Sequence, residues 1–211
     1  RRMGQGEKPL RSALFRNLSR QATVVAYWPM EDKEGSTSLA AGIAGVQSGS
    51  ITGSPEMASY STYLASDPLP VLDASSVLSF SVPTYTATAE TAVRFFLQPS
   101  ESGPGVATDL MNMRCTGTAA RWQIQTSSDG HSYQIKAYDV SGAAILTDGF
   151  NAIVGSDFGE PLYVYFLLTE NGSNVDYELR IIELGQIPTT TSTLVRTGTL
   201  NSRTVGRVTS V

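Results

Sequence analysis

Glu31, Asp32 and Glu34 stand almost back to back in VVAYWPMEDKEGSTSLA, directly after an apolar run that ends at Trp28-Pro29. Crowded carboxylates beside a tryptophan admit three readings. An acid/base pair, as in a retaining glycosidase, needs its two carboxyls ~5–5.5 Å apart with one pKa raised. A hard cation wants roughly six to eight oxygens, carboxylates among them, and no carboxylate or Asn lies between Gly35 and Glu56. The third reading is the polar exit of a buried strand. Neighbouring strand residues point to opposite faces, so Glu31 and Asp32 cannot share one cleft floor, and Lys33 is placed to neutralise either. The stretch is therefore read as a solvated strand exit, with no catalytic residue and no metal.

Other chemistry is sparse. His131 is the single histidine and follows the turn pair Asp129-Gly130, where it is expected to be an exposed turn residue rather than a catalytic base. With one His and one Cys, zinc sites built on several of them cannot form. Cys115 lies in the strand-like run DLMNMRC and is expected to be a buried free thiol; alone, it gives no internal disulfide. No glycine-rich phosphate cradle occurs. Ser127-Ser128-Asp129-Gly130 and the sequon-like Asn171-Gly172-Ser173 are both read as turns.

These residues sit in a chain of 211 with only 16% charged residues and 19 glycines, a composition suited to a β-rich extracellular or virion surface protein. Net charge is −4, unevenly spread: residues 1–20 hold six Lys/Arg against one Glu, +5, leaving −9 on the rest. A basic leader on an acidic body is read as packing against an acidic neighbour. A nucleic-acid partner is not expected, because the body would repel phosphate. No run of 18 apolar residues spans a membrane, and the leader lacks the apolar core of a signal peptide.

KPLRSALFRNLSR places Leu10, Ala13, Leu14 and Leu18 at helical spacing, predicting a short helix over 8–20 after a Gly4-Gln5-Gly6 linker. From Gln21 the signals are strands and turns. Strands are expected at 22–28, 45–52, 77–82, 91–97, 121–126, 132–139, 144–148, 161–170, 176–184, 193–199 and 204–211. One helical turn is expected near 35–41 and an irregular crossing loop over 53–76. Asp129-Gly130 between the alternating runs RWQIQT and SYQIKAYD is a hairpin signal. PLYVYFLLTE, nearly continuous in apolar residues, is expected to be a central strand covered on both faces. Regularly spaced short strands without βαβ alternation imply a two-sheet antiparallel sandwich.

Val25-Ala26-Tyr27-Trp28-Pro29-Met30-Glu31-Asp32 resembles the opening strand of laminin G-like, concanavalin A-like jelly-roll domains. Ser66-Asp67-Pro68-Leu69-Pro70, Pro83-Thr84-Tyr85-Thr86-Ala87-Thr88, Thr116 to Trp122, Tyr138 to Gly142, Leu168 to Gly172 and Arg203 to Val208 are similar to the version found in minor tail proteins of actinobacteriophages. The resemblance covers most of residues 21–211. It implies an all-β jelly-roll sandwich behind a helical leader: 1–20 as basic linker and helix, 21–211 as one laminin G-like domain, its last closing strand expected after Val211. It implies a tail-tip structural or adhesion module in the virion, otherwise extracellular, contributing to host-surface or carbohydrate recognition without catalysis. Partners would be other tail proteins and a host glycan, with a homo-oligomer allowed by tail symmetry.

Alternatives are a polysaccharide hydrolase acting on the host envelope and a secreted bacterial carbohydrate-binding domain. Hydrolases of this fold carry their carboxylates as E-x-D-x-x-E on one strand, a spacing the chain lacks. No cofactor is expected, and a calcium site of the laminin G type is doubtful without further oxygens after the acidic pair. Strand aromatics usually pack in cores, and Trp122, Ile124 and Thr126 alternate as on a core-facing strand. The candidates for carbohydrate contact are Tyr60 and Tyr63, in the irregular segment, and Trp122.

Overall fold

The computed structural model describes residues 17–19, 21–61, 66–73, 75–99, 103–152, 161–183 and 193–211. The expected helix over 8–20 and Tyr63 lie almost wholly or wholly outside them. The described elements are fourteen strands in several sheets, so the chain is all-β. It divides into two compact units, Arg1–Thr84 with Ser210 and Tyr85–Thr209 with Val211.

The first unit has short ladders. Strands β1 (Ser38–Leu39), β2 (Gly49–Thr52) and β5 (Val77–Ser79) form a three-stranded sheet in the order β1-β2-β5. Strands β3 (Glu56–Tyr60) and β4 (Leu69–Val71) pair separately. Leu39, Met57 and Phe80 are its buried centre, packed by Trp28, Met30, Ile51 and Leu78. The rings of Trp28 and Phe80 lie 4.7 Å apart.

Three expectations fail in this unit. The run 22–28 joins no ladder; its apolar residues serve the core through Trp28, whose indole N–H donates to the Gln47 carbonyl at 2.9 Å. The expected helical turn near 35–41 is instead β1, whose Leu39 is fully buried. The expected irregular loop 53–76 contains β3 and β4, paired across a register shift.

The second unit is two facing sheets. Strands β7 (Thr108–Cys115), β8 (Ala119–Thr126), β9 (Ser132–Asp139), β10 (Ala144–Ala152) and β14 (Val208–Ser210) form one, in the order β10-β9-β8-β7-β14. Strands β6 (Glu90–Leu97), β11 (Leu162–Asn171), β12 (Asn174–Glu183) and β13 (Thr193–Leu200) form the other, in the order β13-β12-β11-β6, antiparallel throughout. Period-2 alternation supplies the inner faces. Met111, Met113, Trp122, Ile124, Ile135 and Ala137 come from the first sheet and Val164, Phe166, Leu168, Val175, Leu179 and Ile181 from the second, all nearly or fully buried. Trp122 joins them, its ring centroid 5.7 Å from Phe166 and 6.0 Å from Tyr177.

The Asp129-Gly130 hairpin forms as expected: the Ser127 N–H donates to the Ser132 carbonyl at 2.8 Å, and Gly130 takes φ +79°. Strand β11 is central, between β12 and β6, but buried on one face only. Tyr163, Tyr165 and Leu167 are half-exposed on the other face, so the expected double coverage of 161–170 does not hold. Tyrosine explains the misreading, since its ring packs while its hydroxyl stays wet.

Between the sheets, Asp148 of β10 accepts two hydrogen bonds from the Arg196 guanidinium of β13, at 2.5 and 2.7 Å, and one from the Tyr177 hydroxyl at 3.2 Å. Gly198, opposite Tyr177 in the ladder, leaves room for that ring. The Arg196 hydrogen bonds hold the Asp148 carboxyl below its ordinary range against the opposing effect of burial. Asp148→Asn is expected to cost about 2 kcal/mol at neutral pH, less than a fully buried pair because Arg196 is itself 44% exposed. A carboxyl with a depressed folded pKa stabilises above its unfolded value of ~3.9 and loses that contribution as pH falls through the lower folded value. The stability gap between wild type and variant is therefore expected to be constant above about pH 5 and to close below about pH 4. Urea unfolding at stepped pH measures it; a gap independent of pH would refute the assignment.

Candidate functional site

Two carboxylates of the acidic cluster at 31–34 hold local structure, while Asp32 Oδ2 is buried without a hydrogen-bond partner among the described residues. An Asp32 carboxylate oxygen accepts the Ala40 N–H at 3.0 Å, and a Glu31 oxygen accepts the Asp67 N–H at 3.4 Å. Both residues are half-buried and only Glu34 is exposed, so the expected solvated exit holds for Glu34 alone. Burial, and then the Glu31 charge, push the Tyr27 phenol up to about 12. Among the described residues no three His, Cys, Asp or Glu side chains gather as a metal would require.

The other sequence candidates disperse. His131 does lie in the turn but is half-buried rather than exposed, and its backbone N–H donates to the Asp129 carboxylate at 3.0 Å, closing the turn. The Ser127 hydroxyl, then that N–H, hold the Asp129 carboxyl below its usual range. Cys115 is the buried thiol expected, pushed up to about 12 by desolvation. Tyr60 is half-buried in β3, opposite Leu69. Trp122 is 0% exposed between the sheets and presents no ring surface to a sugar, which removes it from the candidates.

The arrangement that does assemble polar chemistry is the outer face of the five-stranded sheet, directly behind Trp122. Alternation that sends Trp122 and Ile124 inward sends Arg121, Gln123 and Gln125 outward. Register then sets Arg114, Asn112 and Asp109 of β7 beside them on one side. On the other side it sets Tyr138, Lys136 and Gln134 of β9. Thr147 of β10 extends the Lys136 rung. Strand spacing makes this a platform ~14 Å across four strands.

Its side chains are locked to one another. The Tyr138 hydroxyl donates to Gln123 Oε1 at 2.8 Å, which fixes the Gln123 amide so that its Nε2 donates to the Asp109 carboxylate. The Gln125 amide donates to the other Asp109 oxygen at 2.6 Å. The Arg121 guanidinium lies 3.7 Å from the Tyr138 ring centroid. Gln123 and Gln134 are buried, at 6% and 8% exposure, a cost for amides that fixed hydrogen bonding offsets at Gln123. The buried part of the row fixes its neighbours, and the less buried Asn112, Arg121 and Gln125 present amide and guanidinium groups in set directions, groups that can pair with sugar hydroxyls.

No family model, curated protein or solved structure matches the chain. The site therefore rests on its own geometry.

A shallow depression of about 270 Å³ on the other sheet competes less well. Its wall carboxylates are engaged: Asp176 accepts from the Thr199 hydroxyl at 2.6 Å and the Asn171 amide at 3.2 Å, and Glu178 pairs with Arg180. Sequence reasoning passed over the platform although its signal was visible. The alternation that marked Trp122 and Ile124 as inward also marked Arg121, Gln123 and Gln125 as one outward set.

Proposed function

We propose that this chain is a non-catalytic adhesion module of a phage minor tail protein, built as a laminin G-like jelly roll and recognising carbohydrate on the host surface. The observation that carries the carbohydrate part is the interlocked row Tyr138–Gln123–Asp109–Gln125 on an outer sheet face. Preorganised amides lose little freedom on binding and pair well with hydroxyl groups. The platform's carboxylate, Asp109, has both oxygens taken by glutamine amides, which leaves it poorly placed as a nucleophile or general acid. The tail-protein and jelly-roll parts are supported by the ordered run of motifs from Tyr27-Trp28-Pro29 to Arg203-Thr204-Val205 and by the two facing sheets of the second unit.

The test is retention of the folded protein on immobilised envelope polysaccharide from actinobacterial cells. Saturable binding is expected. Gln125→Ala and Asp109→Asn should each weaken it about tenfold, the loss of one or two hydrogen bonds to a fixed network. No retention of a protein with native circular dichroism would refute the carbohydrate role.

A further inference from the structure

The platform's charge points to the ligand class. Resting on the carbohydrate reading above, we propose that the second unit binds an anionic polysaccharide, one whose repeat carries carboxylate or phosphodiester groups, and grips those groups with Arg114, Arg121 and Lys136.

Arg114 and Arg121 are direct cross-strand partners on the outer face. Like charges placed opposite each other destabilise a ladder. Among the described residues neither arginine, nor Lys136 on the next rung, forms an ion pair; the Tyr138 ring face meets the Arg121 charge only in part, and Arg114 has no such contact. Acidic residues outnumber basic ones in the chain, 19 to 15, so three cations against the single Asp109 carboxylate, whose oxygens are held by glutamine amides, run against the average charge. An anion seated between the two guanidinium groups would relieve the repulsion.

The arginines are also prepared for it. The Arg121 guanidinium carbon sits 3.7 Å from the Tyr138 ring centroid, and Tyr138 is held by Gln123 and Gln123 by Asp109, so the guanidinium is positioned before a ligand arrives. A planar fork held in place is suited to two-pronged pairing with carboxylate or phosphate oxygens. Asn112 and Gln125 beside the cations supply groups for the hydroxyls of the same sugar. A nucleic acid fits less well, because the platform's tyrosine face is occupied by Arg121 and cannot stack a base.

The experiment measures binding of the intact protein to four labelled polymers: a polyuronate, a poly(glycerol phosphate), a neutral glucan and a single-stranded oligonucleotide. Variants are Arg114→Gln, Arg121→Gln and Lys136→Gln. Binding is expected for the polyuronate, the phosphate polymer or both, weakening as salt rises, and the neutral glucan should bind at least tenfold more weakly. Arg121→Gln should lose about tenfold and Arg114→Gln several-fold. Arg114 is exposed, so its variant should fold with a thermal midpoint equal to or above wild type, as relief of repulsion requires. Equal binding of neutral and anionic glycans, or unchanged affinity in all three variants, would overturn the anionic assignment and leave carbohydrate recognition standing. Tighter binding of the oligonucleotide than of either anionic glycan would overturn it in favour of nucleic acid. No polysaccharide binding by the folded protein would overturn both readings.

Discussion

Trp122→Ala is expected to destabilise the second unit by about 3–5 kcal/mol, the range for truncating a fully buried large aromatic. Trp122 is 0% exposed and stands where β8 meets β11 and β12, touching Phe166 and Tyr177. Its removal opens a void between the two sheets that the Phe166 and Tyr177 rings, fixed on the facing sheet, cannot fully collapse into. One term works the other way: the indole N–H is buried without a hydrogen-bond partner, so part of the native burial is already unfavourable. Trp122→Phe discards that N–H and keeps most of the ring, so it should cost far less, within about 2 kcal/mol. Guanidinium unfolding followed by far-ultraviolet circular dichroism checks both. A Trp122→Ala loss below 1 kcal/mol would mean that the sheets do not pack through this residue.

The contrast between the units shows what the chain declares locally and what it does not. Strand β9 matches its expected bounds, and the hairpin before it forms at Asp129-Gly130, because alternation and turn chemistry act within a few residues. The ladders β1, β2 and β5 of the first unit have two to four residues each. Segments that short are strands only because a distant partner accepts their hydrogen bonds. Val24 to Trp28 shows the reverse: strand-like composition, but no ladder, since Trp28 finds its place in a side-chain cluster instead. Propensity alone cannot separate those outcomes.

The candidate site was legible in part. Arg121, Gln123 and Gln125 could be assigned to one face from β8 alone. Their neighbours could not, because both flanking ladders slip by a bulge, between Asp109 and Met111 on one side and Ala119 and Arg121 on the other. Each bulge changes which residues oppose each other. The Arg114–Arg121 pairing and the reach of Asp109 to two glutamines both follow from that register. Long polar side chains on a strand otherwise read as an ordinary solvated face.

Gly117→Ala is expected to cost about 2–4 kcal/mol, a large effect for one added methyl group. Gly117 lies in the turn between β7 and β8, where a Cβ would fall 2.2 Å from the Thr204 carbonyl oxygen and 2.5 Å from its carbon. Those atoms are backbone and cannot swing aside as a side chain would. The turn is tied to the same segment by the N–H groups of Thr116, Gly117 and Ala119, which donate to the carbonyls of Arg207, Val205 and Thr204 at 2.9, 2.8 and 3.0 Å. A Glu170 carboxylate oxygen fixes that segment in turn, accepting the N–H groups of Val205 and Gly206 at 2.6 and 2.9 Å. An alanine must therefore push apart two hydrogen-bonded backbones, and the loss falls on the hairpin that sets Arg114 opposite Arg121. Gly142→Ala is the matched control: its Cβ would meet nothing within 4 Å, so only the strain of its φ of +85° remains, about 1 kcal/mol. Thermal unfolding of the two variants should place Gly117→Ala several degrees below Gly142→Ala, with anionic-glycan binding weakened in the first alone. Equal midpoints would mean that the turn and the 204–207 segment do not approach as closely as the structure has them.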